Sequence, residues 1–244
     1  MGYSANLGQT MDVIRHVKKR LFTTLLALAA GGLLAADPPP DPQEILRAVR
    51  FSQASQHESL KGQLRTGPKI VAFRLSISGP VIQYEFTDPP PSTIVVHLGE
   101  KESKISEGPK GGAERVSGAH FSDLVRGSDI SYEDLSLRFL YWQRAQLEGE
   151  QTMLLRRCWV VNVEPPAGSD SQYSKVGLWI DQESGGLLQA EAYDRAGKFS
   201  RRFKVISGQK IGGAWYLKQM RIEAPALPGK SKTPTYLEVS ADKP

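Results

Sequence analysis

The sequence has one cysteine, Cys158, and only four histidines in 244 residues. A single cysteine excludes an internal disulfide and any zinc module built from several cysteines. The histidines are scattered along the chain, which argues against a metal site built from imidazole ligands. The sequence therefore predicts neither a metal nor any other cofactor.

The chain also lacks a strong excess of charge of one sign. The net charge is +5, but residues 1–36 hold four basic side chains and one acidic one, which leaves 27 basic and 25 acidic side chains in the rest. A nucleic-acid-binding protein needs a basic surface that displaces counterions. With 40% apolar and 23% charged residues, a disordered chain and a protein with several membrane spans are also disfavoured.

Motifs of known catalytic chemistry are missing as well. The chain has no Gly-x-Ser-x-Gly elbow and no His-Glu-x-x-His pair. The acidic pair Glu133-Asp134 lies where a helix is predicted to begin, so negative charge there is explained by the helix dipole. Cys158 follows two arginines that could lower its pKa, yet a lone cysteine in a strand is more typical of a packed side chain. We therefore predict a protein that is not an enzyme and has no catalytic residue.

What is present first is a leader. Four basic residues between Arg15 and Arg20 precede an apolar stretch of 15 residues, Leu21–Ala35, and Ala35-Ala36 then meets Asp37 and a run of prolines. This is the pattern of a secretory signal peptide, and the stretch is short for a transmembrane helix, which needs about 20 residues. We predict a cleaved signal at 1–36 with an upstream extension at 1–10, an uncleaved anchor being the alternative.

The remaining chain is predicted to be a proline-rich linker at 37–42 and one domain at 43–244. A first helix is expected at Pro42–Ala54 with Asp41 as its N-cap, and its apolar stripe comprises Ile45, Leu46, Val49 and Phe51. Strands with one buried face follow, since apolar and polar residues alternate at 71–77, 82–86 and 94–98. Residues 100–118 are polar and Gly-rich, which indicates a loop or a weak edge strand.

A helical region is predicted next, from His120 to Leu140. Ser131 and Asp134 have the spacing of a capping box, so a helix is expected from Tyr132 to Trp142 with Leu135, Phe139 and Leu140 facing the sheet. From Arg157 onwards the chain returns to strands joined by Gly-containing hairpin turns. About ten or eleven strands without parallel βαβ units indicate an α+β fold: one antiparallel sheet that curls, with helices on its concave face.

Several motifs resemble one known family. The run from Gly127 to Leu135, GSDISYEDL, is similar to the signature of LolA-like proteins, the outer-membrane lipoprotein-sorting family. RCWVV at 157–161, YSKVGLWID at 173–181, the stretch Leu187–Lys198 and KQMRI at 218–222 also fit. The resemblance covers residues 41 to 240 and implies a strongly curved, unclosed half-barrel whose helices form a lid over a hydrophobic cavity.

The resemblance further implies a periplasmic carrier that binds lipoprotein acyl chains or lipid, for which a membrane protein of the cell envelope is a possible partner. Strand alternation and the resemblance together predict the lipid-binding residues Phe73, Leu75, Tyr84, Phe86, Val96, Trp159, Val161, Leu178, Ile180, Met220 and Ile222. The predicted lid residues are Leu135, Phe139 and Leu140. The chain is expected to be a monomer.

Two alternatives stay open at this point. The same fold could serve as a periplasmic sensor or scaffold that binds a protein partner, and the interior could be a filled core instead of a cavity. The resemblance also implies an arginine on an early strand that holds the lid closed, for which Arg65 and Arg74 are candidates.

The leader yields the first testable prediction. If signal peptidase cleaves after Ala36, Edman sequencing of the periplasmic protein will read Asp37 as the first residue. Full-length protein retained in the inner membrane would contradict cleavage and with it a freely diffusing carrier.

Overall fold

The computed structural model describes residues 38–109, 112–225 and 232–241; the predicted signal peptide at 1–36 lies outside them. Thirteen strands in these ranges form one antiparallel sheet in the order β6-β5-β4-β3-β2-β1-β13-β12-β11-β10-β9-β8-β7. The strands are β1 His57–Thr66, β2 Lys69–Ser78, β3 Val81–Phe86, β4 Ser92–Leu98, β5 Ser103–Gly108, β6 Glu114–Arg115, β7 Arg144–Met153, β8 Arg156–Glu164, β9 Tyr173–Asp181, β10 Leu187–Asp194, β11 Phe199–Ile211, β12 Ala214–Glu223 and β13 Thr235–Ala241.

The sheet is open, with β6 and β7 at its two edges, so the predicted fold class is confirmed. More strands form than the ten or eleven expected. The sequence pattern does not predict β1 and β7, because polar residues dominate in both strands. In β1 only Leu60 and Leu64 are buried. β5 and β6 lie in the region predicted as a loop or weak edge strand. None of the helices in the described ranges has the length and apolar content to cross a membrane.

Helix α1 spans Pro42–Ala54 as predicted. The Asp41 side chain accepts a hydrogen bond from the Gln43 amide at 2.9 Å, and proline occupies the first turn. Ile45, Leu46 and Val49 are buried, but Phe51 is 75% exposed. Its assignment to the apolar stripe was wrong, because two residues after Val49 the helix has turned by about 200°.

The connection between the two strand blocks, residues 118–142, is here called the lid segment. The long helix predicted for it is replaced by short pieces: 3-10 turns at Gly118–Ser122, Val125–Gly127 and Arg138–Tyr141, and helix α2 at Tyr132–Ser136. The capping box of Ser131 and Asp134 is present. Helix α2 ends after five residues because Leu137 has a left-handed backbone with φ of 55°, a conformation that terminates helices.

Strand register places all eleven predicted lipid-binding residues on one face of the sheet. Residues directly opposite each other in antiparallel strands point to the same side, and such pairs join Leu75 to Tyr84, Phe73 to Phe86, and Ile82 to Val96. The same relation joins Val161 to Leu178 and Trp159 to Ile180 in the second block. Through Ile222 and Phe203 the face continues across the centre of the sheet, and the lid segment and α1 cover it.

The buried residues on this face form two clusters. The first cluster lies on β1–β5, β12 and β13 and contains Phe73, Leu75, Phe86, Val96 and Ile222, with Tyr84, Met220 and Leu135 packed at its margin. The second cluster lies on β8–β10 and contains Val161, Leu178, Ile180, Phe139 and Leu140, with Trp159 at its margin. The half-buried Phe203 and Leu137 contact both clusters.

Gly62 on β1 gives a prediction about the first cluster. Its register partner is Phe73, and a Cβ atom on Gly62 would lie 2.3 Å from the Phe73 ring. Gly62→Ala should therefore lower the free energy of unfolding by about 1–3 kcal/mol, as overpacking does. Urea unfolding measures this loss. Gly62→Ala combined with Phe73→Leu should destabilise less than the two single changes added together, and strict additivity would contradict the contact.

Candidate ligand-binding interior and its lid

The interior beneath the lid segment is apolar and nearly filled. A cavity of about 10 Å³ remains in the first cluster, lined by Leu64, Phe73, Tyr84, Phe86, Val125, Ile130, Leu135 and Leu237. A cavity of this volume holds one water molecule at most, so the closed form has no space for a hydrocarbon chain. Three of the predicted lipid-binding residues (Phe73, Tyr84 and Phe86) and the predicted lid residue Leu135 line it.

The sheet and the lid segment supply opposite walls of this cavity. Phe73 and Phe86 pack with their ring centroids 5.6 Å apart on adjacent strands, while Val125 and Ile130 approach from the lid segment. The hydroxyl of Tyr84 makes no hydrogen bond within the described residues, and burial raises its pKa.

The second cluster has a different cover. Ile45, Leu46 and Val49 of α1 pack with Phe139 and Leu140 over β8–β10. The Arg50 guanidinium donates a hydrogen bond to the Leu140 carbonyl, so α1 and the end of the lid segment are joined. The structure thus separates the predicted site residues: Trp159, Val161, Leu178 and Ile180 lie under α1, and the other seven lie in the first cluster.

A buried ion pair attaches the middle of the lid segment to the sheet. Asp134 on α2 accepts a hydrogen bond from Arg201 of β11 at 2.5 Å and another from the hydroxyl of Tyr173 of β9, also at 2.5 Å. The two charged side chains are only 12% and 3% exposed. Tyr173 is fully covered, and burial, followed by the charge of Asp134, raises the pKa of its phenol. We call Asp134, Tyr173 and Arg201 the latch.

The helix cap and the latch share one carboxylate. Oδ2 of Asp134 accepts hydrogen bonds from the amide and the hydroxyl of Ser131 at 2.8 and 2.7 Å, in addition to the Arg201 contact. The side chain of Gln172 donates to the Ser131 hydroxyl at 2.8 Å. Formation of α2 and attachment of the lid segment are therefore coupled, because the same oxygen serves both.

Glu133 lies beside the latch and is fully buried. It accepts a hydrogen bond from the Gln172 amide at 2.9 Å, and burial raises the pKa of its carboxyl. The pKa of this carboxyl is higher in the folded than in the unfolded state. The free energy of unfolding therefore falls as the pH rises from the unfolded-state pKa to the folded-state pKa. Protonation of Glu133 therefore favours the folded state.

Other polar contacts hold the part of the lid segment that precedes Asp134. The hydroxyl of Tyr132 donates to Glu107 at the edge of the sheet. Asp129 accepts from Thr235 of β13 at 3.0 Å and pairs with Lys232 at 2.6 Å. Lys69 donates to the Arg126 carbonyl at 2.8 Å. The lid segment is thus attached by at least four polar contacts spread across the sheet.

Neither of the two candidates for a lid-holding arginine, Arg65 and Arg74, faces the lid segment. Arg65 pairs with Glu238 at 2.6 Å, on the face opposite to Leu64, and lowers the pKa of that carboxyl to about 2. Arg74 also points away from the lid segment, since it alternates with Phe73 and Leu75. Arg201, on a late strand of the sheet, does reach the lid segment through Asp134. The only signal of its partner in the sequence was the capping-box spacing of Asp134.

Comparison with known proteins supplies the family. A family model described as "Uncharacterized protein" matches residues 111–244, more than half of the chain. The chain belongs to that family. Among curated proteins, no sequence matches it significantly.

Solved structures establish the fold as LolA-like. A DUF1329 family protein from Desulfovibrio piger matches with a TM-score of 0.62 and 21% identity over 82% of this chain and 92% of its own. A domain of the outer membrane lipoprotein-sorting group from Vibrio parahaemolyticus matches with a TM-score of 0.63 and 18% identity, over 82% and 90%. A LolA superfamily protein from Nitrosomonas europaea matches at 0.59 and 16%, over 83% and 92%. These similarities confirm the predicted resemblance in its fold.

Cys158 and His120, two side chains with catalytic potential in this LolA-like domain, lie in different surroundings. Burial raises the pKa of the Cys158 thiol, opposite to the change that a nucleophile needs. His120 contacts Asp123 at 2.9 Å on the exposed surface. Within the described ranges, no three His, Cys, Asp or Glu side chains are grouped as metal ligands.

The tryptophans divide between the two faces of the sheet. Trp159 is half-buried at the margin of the second cluster. Trp179 lies on the opposite face from its neighbour Leu178 and donates to Gln151 at 2.8 Å. Trp215 is 64% exposed. These three tryptophans therefore do not line a shared pocket.

The latch gives a prediction with a matched control. Arg201→Met leaves the buried carboxylate of Asp134 without its cation, which should lower the free energy of unfolding by about 3 kcal/mol. Amide hydrogen exchange in the lid segment should also become faster. Arg202→Met, one residue away, removes partly exposed pairs with Glu191 and Glu223 and should change stability by about 1 kcal/mol or less. Equal losses in the two variants would contradict a special role for Arg201.

Proposed function

We propose that this protein is a periplasmic carrier that binds lipoprotein acyl chains, or lipid, in the interior beneath the lid segment. The observation that carries the proposal is that two kinds of contact, apolar and polar, hold that segment on the sheet. Its inner side packs apolar residues such as Val125 and Leu135 against the first cluster, while polar contacts attach it to the sheet. Polar contacts can be exchanged for water when the segment lifts.

Binding would then be an exchange of one apolar surface for another. In the closed form Val125, Ile130 and Leu135 fill the space above Phe73 and Phe86. An acyl chain would replace these lid side chains against the sheet, and each CH₂ group removed from water contributes about 0.8 kcal/mol. A long acyl chain therefore supplies enough free energy to offset the opening of the latch.

The remaining parts of the proposal concern organisation and location. Residues 1–36 would be the cleaved signal, 37–42 a linker and 43–244 one LolA-like domain that acts in outer-membrane lipoprotein sorting. Transfer of cargo would involve a donor or receptor in the membrane, and the carrier would act as a monomer. The leader pattern of residues 1–36 and the fold similarity to the lipoprotein-sorting domain support this assignment.

The test uses a half-buried lid residue, because a polar group at a fully buried position such as Val96 would unfold the protein. Leu135→Gln places an amide in the cavity wall and should weaken binding of a fluorescent long-chain fatty-acyl probe by about tenfold while the melt stays cooperative. Leu187→Gln is the matched control, since Leu187 is a half-buried leucine of the second cluster. Equal weakening by both changes would remove the cavity from the binding site.

One observation favours a second function for the same fold. The interior is filled apart from the cavity of about 10 Å³, as expected of a sensor or scaffold that binds a protein partner by its outer surface. A parent protein that binds no acyl probe, and that leaves the periplasm without lipid detectable by mass spectrometry, would replace the carrier with this alternative.

A further inference from the structure

Two leucines form the turn between β7 and β8. Met153 pairs with Arg156 across the hairpin, so Leu154 and Leu155 are the two turn residues, with φ of 50° and 61°. Two positive φ values define a type I′ turn, where Asn-Gly is strongly preferred because these residues adopt the left-handed region most easily. Leucine adopts this conformation rarely and under strain.

Packing does not explain these leucines. Leu155 is 98% exposed and Leu154 is 48% exposed, and neither belongs to the two core clusters. The position thus combines an unfavourable backbone with apolar side chains in water. Exposed apolar residues that strain the backbone and do not pack in the core are expected at sites that bind another surface.

The same end of the sheet carries two exposed aromatic side chains. Because the strands are antiparallel, the β11–β12 turn at 212–213 lies at the same end as the β7–β8 turn, and α1 also ends there before His57. Trp215 beside that turn is 64% exposed, and Phe51 in the last turn of α1 is 75% exposed. Trp215 lies on β12 and the leucine turn adjoins β8, four strands apart, or about 19 Å along the sheet at the usual spacing.

We propose that this end of the sheet docks on the surface of a phospholipid bilayer, with Leu154 and Leu155 inserted below the headgroups. The exposed apolar side chains at this end of the sheet are separated from one another. A lipid bilayer can accommodate each of them, whereas a protein partner would need a separate pocket for each. Tryptophan at headgroup depth and leucine below it is the distribution typical of membrane interfaces.

Charge at the turn fits a phosphate-bearing surface. Arg156 and Arg157 follow the leucines directly. Arg156 is held by the buried Asp181 at 2.7 Å and also pairs with Glu183 at 3.0 Å, whereas Arg157 pairs with Glu150 at 2.5 Å. Glu183 is 82% exposed and the Arg157 side chain 72% exposed, so the pairs with Glu183 and Glu150 contribute little to stability. Lipid phosphates can replace the exposed carboxylates as guanidinium partners. The inference does not depend on the proposed cargo site, since the leucine turn lies outside both clusters.

The test is sedimentation of the mature protein with vesicles of phosphatidylethanolamine and phosphatidylglycerol. The variant Leu154→Asn with Leu155→Gly installs the preferred type I′ residues, so its melting temperature should stay equal or rise. Its partition onto the vesicles should fall on the order of tenfold or more, because both inserted side chains are lost. A stable variant that no longer binds separates docking from folding.

Ile70→Gln is the matched control, because Ile70 is 53% exposed and lies at the opposite end of the sheet. It should leave vesicle binding unchanged. Failure of the parent protein to bind vesicles, binding retained by the turn variant, or equal loss on Ile70→Gln would each overturn the proposal. Photo-crosslinking from position 155 to a protein, without vesicle binding, would replace the bilayer by a protein partner.

Discussion

The carboxylate of Asp134 is the group on which the closed form depends. It caps α2 through Ser131 and receives Arg201 and Tyr173 from two strands of the sheet. A buried carboxylate is tolerated only when it is paired and hydrogen-bonded, and these partners come together only when the lid segment lies on the concave face. The cap is local and the latch is long-range, so the shared carboxylate ties the conformation of a five-residue helix to the position of the whole segment.

This constraint explains why the lid segment needs so little regular structure. A helix as short as α2 is not stable by itself in water, and Leu137 stops it with a left-handed residue. Because Leu137 packs against both clusters, the break directs the chain from the first cluster to the second. The short helical turns of the lid segment are not stabilised by local propensity. Tertiary contacts at Asp129, Tyr132 and Asp134 hold them in place instead.

The sequence predicted the features that depend on residues close together in the chain, and it missed those that depend on distant residues. The alternating strands and the N-cap at Asp41 follow from local patterns, and the resemblance supplied the curved sheet and its lid. The polar strands β1 and β7 and the break at Leu137 were missed because tertiary pairing and packing decide them. The partner of Asp134 was missed for the same reason: Arg201 is 67 residues away, and no local pattern connects the two.

Helix α1 and the lid segment cover the concave face in different ways. This difference indicates which of them would move to admit a ligand. Over the second cluster α1 presents a continuous apolar stripe, Ile45, Leu46 and Val49, all at most 7% exposed. Lifting α1 would expose that stripe with nothing to replace it. Over the first cluster the cover is made of short turns attached by polar groups such as Asp129 and Tyr132, which water satisfies as well as the sheet does. An apolar ligand in the cavity beneath would replace the apolar contacts that the lid segment loses when it lifts. Opening coupled to binding is therefore expected at the first cluster.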